Sequence, residues 1–217
     1  MENLKLGKNL KSTGKSLIKM DYGLTKVIST GARIDTVLIA VHGYNSTGYE
    51  WVYPLKIMAE SGWQTYFYRW DWAICPNEAA QELKAEIITF FSDMEPAPHL
   101  IIFGHSYGGV ITTLLAKQGI DELSADFHAL AAPLLGFPRL NEMCSDYSGI
   151  PSGQINNLTQ WRTVHVMDGA FRDMALDPQL LEIENSVVIN LPDSTDGHRL
   201  GHNWSISWVM DTYFEGK

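Results

Sequence analysis

From residue 36 onward, short runs of β-branched and apolar residues alternate with stretches whose apolar positions recur every three or four residues. A strand apolar on both faces has to be covered on both, so this pattern predicts an α/β domain with a mostly parallel, twisted sheet between two helical layers. Val37–Val41 reads as a strand; Trp51, Leu55 and Met58 follow at helix spacing up to Gly62, and Gln64–Tyr68 returns as a strand. Pro76 opens a helix lined by Ala80, Leu83, Ile87, Phe90 and Met94, which Pro96 and Pro98 close before a strand at Leu100–Phe103. A helix from about Gly108 to Lys117, ended by Gly119, leads to a strand at Phe127–Ala131. Further strands are expected at Thr163–Met167 and Val187–Leu191, a short helix at Pro178–Ile183, and a last helix carrying Trp204, Trp208 and Val209. Residues 133–160 read as irregular, forming a short lid or wall over a site.

The length of 217 residues and 45% apolar content suit a single domain over 1–217 with its own core. Sixteen Lys and Arg against 25 Asp and Glu leave a net charge of −9, which repels phosphate backbones and excludes general nucleic-acid binding. No apolar run approaches the ~20 residues of a membrane span, so no transmembrane segment is expected. The first twenty residues stand apart. Lys5, Lys8, Lys11, Lys15 and Lys19 face only Glu2, giving a basic N-terminal arm that is either solvated or in weak contact with a membrane surface. No apolar stretch follows to make it a secretory signal. Cys75 and Cys144 are too few for a disulfide framework or a four-cysteine zinc site, and they read as buried free thiols in a reducing, cytoplasmic setting.

The chemistry-bearing motif is Gly104-His105-Ser106-Tyr107-Gly108, a G-x-S-x-G pentapeptide between an apolar strand and a helix. That context sets Ser106 on a tight strand-to-helix turn at the positive end of a helix, where a nucleophile and a developing negative charge are both favoured. A serine hydroxyl needs a histidine base and an acid to orient it. The loop after the last strand offers His198 and His202, and His202 is preferred because it stands directly before the terminal helix. The pair at i, i+4 could also suggest metal ligation, but Gly197 and Gly201 break the helix that such a pair needs, and no metal is expected. For the acid, Asp173 is preferred, four residues past the turn at Gly169; Asp168 is the rival, with Asp177 and Asp196 behind it. Backbone amides of Tyr44, after His42 and Gly43, and of Tyr107 are the candidate oxyanion donors. Around them, His42, Gly43, Asn45, His105, Trp70 and Trp72 are candidate substrate contacts, the tryptophans because they follow a strand's carboxyl end.

The turn HGYN at 42–45, FGHSYGG at 103–109, GAFRD at 169–173 and GHN at 201–203 resemble the α/β-hydrolase superfamily over residues 36–214. GAFRD, ALAAPL at 129–134, and His202 followed by Trp208 are similar to the lipase-like branch that includes the glycosylphosphatidylinositol inositol-deacylases. The resemblance implies a three-layer α/β-hydrolase fold with a minimal cap or none. It also implies hydrolysis of a small-molecule or lipid ester through an acyl-serine, without metal or organic cofactor, by Ser106, Asp173 and His202 with Tyr44 and Tyr107 as oxyanion donors. Acyl transfer and thioester hydrolysis use the same nucleophile, and a ligand-binding homologue without activity keeps the same fold. The chain departs from the superfamily in lacking a long cap insertion and in having a lysine-rich replacement for its first strands.

Overall fold

The computed structural model describes residues 6–7, 9–29, 33–120, 123–144, 149–150 and 153–215. Its frame is a seven-stranded sheet: β1 (Gly23–Val27), β2 (Arg33–Val41), β3 (Trp63–Arg69), β4 (His99–His105), β5 (Ala125–Leu130), β6 (Leu158–Arg162) and β7 (Val187–Asn190), in the order β1-β3-β2-β4-β5-β6-β7. β1 pairs antiparallel with β3, and every other pair is parallel. The period-2 alternation of a strand divides the core in two. Val37, Ile39 and Val41 of β2 pack with Leu83 and Ile87 of α3 (Pro76–Phe91) and with Ile111 and Leu115 of α4 (Tyr107–Gln118). Leu38 and Ala40 point to the other layer, against Trp51 and Leu55 of α2 (Tyr49–Glu60) and Val209 of α6 (Trp204–Phe214). α1 (Leu10–Lys19) joins that second layer through the fully buried Leu17.

Two expected elements differ. The strand expected at Thr163–Met167 lies five residues earlier, as β6, because Phe127 and Leu130 of β5 pair with Leu158 and Trp161; His165–Met167 is a single 3-10 turn beyond its end. No helix forms at Pro178–Ile183. There the Gln179 side chain accepts from Thr163 N and donates to Thr163 O, which holds the segment as a loop against the end of β6.

The free-thiol expectation is also corrected. Cys75, at the start of α3, is disulfide-bonded to Cys144, just past α5 (Pro138–Met143), across a separation of 69 residues. Folding carries the two cysteines to Cα atoms 5.8 Å apart, a proximity that their sequence spacing does not encode.

Parallel strands end on the same side of a sheet, so the carboxyl ends of β2, β4 and β6 deliver three loops to one rim. A fourth loop arrives from β7 through a small hairpin of β8 (Ser194–Thr195) and β9 (His198–Arg199).

Candidate active site

Ser106 sits between β4 and α4 with φ 56 and ψ −121, a left-handed backbone that a residue other than glycine adopts only under constraint. The constraint is visible on both sides. Ser106 N–H donates to Leu130 O at 2.8 Å, and the Ser106 carbonyl accepts from Gly109 and Val110. Gly108 lets α4 close onto β2, since a Cβ there would stand 2.3 Å from Val41 O. Gly43 leaves room for the serine itself, a Cβ there falling 3.0 Å from Ser106 Cβ. The Ser106 hydroxyl lines a recess of about 170 Å³ together with Gly43, Tyr44, Asn45, His105 and His202.

His202 is set by its neighbours. Its Nδ1–H donates to Asp168 Oδ2 at 3.0 Å, which leaves Nε2 as the bare ring nitrogen. Asp168 is fully buried, accepts from Thr163 Oγ1 at 2.6 Å and from Ala170 N at 2.9 Å, and is placed by the 3-10 turn. Burial by itself raises its carboxyl pKa; the hydrogen bond and charge of His202, with the bonds from Thr163 and Ala170, outweigh burial and hold it below the ordinary value. Phe171 packs edge-on against the His202 ring with centroids 4.9 Å apart.

The preference for Asp173 is corrected here. Its carboxylate is 91% exposed and its ion pair is with Arg172, 3.8 Å away, not with His202. The cause is the position of β6. Because the strand ends at Arg162, the loop has already turned toward His202 at Asp168, and five residues later the chain is back at the surface. The readable signal was the Asp168-Gly169 pair, an aspartate at the start of a turn. His198 lies away from Ser106, stacked on Trp204 with ring centroids 4.9 Å apart.

The surrounding candidates fall into three groups. Gly43, Tyr44, Asn45 and His105 line the recess. His42 and Trp70 lie behind it: both are buried, their rings stack at 5.7 Å, Trp70 N donates to His42 Nε2 and Trp70 Nε1 donates to His42 O. Trp70 is thus packed behind the recess and is not among the residues that line it. His42 Nε2 accepts, so Nδ1 carries the hydrogen and donates to Gly43 O at 2.8 Å. That bond fixes the peptide whose N–H belongs to Tyr44. Trp72 leans on His42 and Tyr44, both at 6.2 Å, outside the recess. The Tyr107 ring turns into the core beside Phe137, while its N–H opens α4 at the positive end of the helix.

Neither a protein-family model nor a curated protein matches the sequence. Solved structures do match. XC6422 from Xanthomonas campestris, an α/β serine hydrolase without lid, is 12% identical with a TM-score of 0.59 and covers 87% of this chain and 86% of its own. Est1E from Butyrivibrio proteoclasticus is 13% identical with a TM-score of 0.57, covering 88% of this chain and 90% of its own. The NocB thioesterase domain is 16% identical with a TM-score of 0.56, covering 89% of this chain and all of its own. At these identities the likeness speaks for the fold: the chain has the α/β-hydrolase fold, with at most a minimal cap among the described residues.

Proposed function

We propose that the protein is a serine hydrolase that cleaves carboxylic esters through an acyl-serine. The observation that carries the reading is the Asp168–His202 hydrogen bond, made beside a serine of positive φ in the same recess. Ser106 Oγ attacks the ester carbonyl carbon as its proton passes to His202 Nε2, and the Tyr44 and Tyr107 amides receive the oxyanion. The carbon–oxygen bond to the alcohol then breaks, and the leaving oxygen takes that proton. Water then attacks the acyl carbon as one of its protons passes to His202, and His202 returns that proton to Ser106 Oγ as the acyl–oxygen bond breaks and the acid leaves. Asp168 keeps Nδ1 protonated and opposes the positive charge that His202 carries midway. Thioester hydrolysis uses the same steps, and the fold likeness to thioesterase domains favours keeping it as the second reading. The narrower resemblance to inositol-deacylases rests on short motifs alone and draws no support from the solved neighbours.

A Cys75–Cys144 bridge favours an oxidising compartment over the cytoplasm. No described helix is long and apolar enough to cross a membrane.

A fluorophosphonate probe and short p-nitrophenyl esters test the proposal. Labelling and turnover are expected in the wild type and absent in Ser106→Ala; labelling that persists in the variant removes Ser106 from the chemistry.

A further inference from the structure

Beside the recess lies a larger open groove of about 580 Å³, bordered by α1, the start of α2, the β8–β9 hairpin and α6. The two cavities share Tyr49, Glu50 and Asn203. Asn203 Nδ2 donates to Tyr49 OH at 3.1 Å, so this pair forms the sill between them, one residue from His202. Beyond the sill, Leu10, Tyr53, Leu200, Trp204 and Trp208 give the groove a mostly apolar surface, with acidic side chains among them. Trp204 and Leu10 are each 54% exposed, and on the groove they belong to one apolar patch. Among the described residues, the charged side chains on the groove are the acids Glu50, Asp196 and Asp211, and no Lys or Arg lines it.

We propose that this groove holds one long, uncharged apolar arm of the ester, a straight alkyl chain or a body of similar girth. This inference rests on Ser106 being the nucleophile. The recess alone is too small for such an arm, whereas the groove lies in the volume range of sites that enclose whole ligands. Acidic walls in a chain of net charge −9 repel phosphate-bearing carriers and arms ending in carboxylate. The substrate class is thus a neutral ester with a chain, not an acyl group on a polyphosphate carrier. The arm is either the acyl chain or the alcohol, and the chemistry of recognition is the same for both.

The test uses the full chain with two graded series below their micellar concentrations: p-nitrophenyl esters from acetate to decanoate, and acetate esters from ethanol to decanol. In one series kcat/KM is expected to rise about two- to fourfold per methylene, and the rising series identifies the arm. The ratio of longest to shortest ester should fall at least tenfold in Trp204→Ala and in the groove-filling Ser207→Phe. Flat responses in both series, or an unchanged ratio in both variants, overturn the inference. A readout without chemistry separates it from the serine reading. Methyl 11-bromoundecanoate titrated into Ser106→Ala should quench tryptophan emission, and less so when Trp204→Phe is added. If the wild type cleaves no ester and resists fluorophosphonate, the serine reading fails, and the quenching then decides the groove: emission unchanged by the bromo ester overturns it.

Discussion

His105 Nε2 donates a hydrogen bond to the main-chain carbonyl of His202 at 2.9 Å, joining the residue before Ser106 to the one proposed as its base. Ser205 Oγ donates to the same carbonyl at 2.6 Å. The base is therefore held at its carboxylate-facing nitrogen and at its backbone. Burial, reinforced by the nearby His202, pushes the His105 pKa down to about 3, so His105 works as a neutral donor. His105→Leu should lower kcat about 10- to 100-fold through displacement of the base, with KM little changed. His105→Gln, which keeps a donor, should recover most of the loss; equal losses in both variants would refute this role.

Asp168 and Asp173 give opposite expectations. Asp168→Asn should cut kcat by about 10⁴-fold, because an amide in that place no longer fixes the His202 tautomer. Asp173→Asn, at a carboxylate 91% exposed, should stay within about twofold of wild type. Steady-state kinetics on one short ester decides between them.

Acid should unfold the protein from about pH 6 downward. His42 and His105 are held neutral, with pKa values pushed to about 4 and about 3, chiefly by burial. The unfolded chain binds their protons below about pH 6.5, so each group removes roughly 1.4 kcal/mol per pH unit until its folded pKa is reached. Asp168, whose folded pKa is depressed, adds a loss that begins only near the ordinary carboxylate range. Chemical denaturation at stepped pH should show stability falling between pH 6 and 4, with a shallower slope in His105→Gln.

The disulfide is a stability element. Closing a loop with a separation of 69 residues constrains the unfolded chain by about 4 kcal/mol in the chain-entropy account. Cys75→Ala with Cys144→Ala should lower the denaturant midpoint accordingly, and a reducing agent should do the same to the wild type alone.

Gly108→Ala should separate α4 from β2. A Cβ 2.3 Å from Val41 O and 2.6 Å from His42 O meets two consecutive backbone carbonyls, so a loss of about 3 kcal/mol is expected, together with loss of the Ser106 geometry. Calorimetry and fluorophosphonate labelling of the same preparation test both effects.

Local chemistry decided much of this protein in advance. The apolar runs at Val37–Val41 and Leu100–Phe103, the helix periods between them, and the glycines flanking Ser106 are short-range signals, each legible within a few residues. They determine the layered α/β design and put a serine on a strained turn. What the sequence could not decide is distance between remote segments. The end of β6 depends on its register with β5, and that register selects Asp168 over Asp173 as the partner of His202. Cys75 meets Cys144, and the groove between α2 and α6 opens beside the recess, only after separate layers have packed. Short-range patterns specify elements because they act through neighbouring dihedrals and faces; pairings across the fold are set by packing, which no single segment carries.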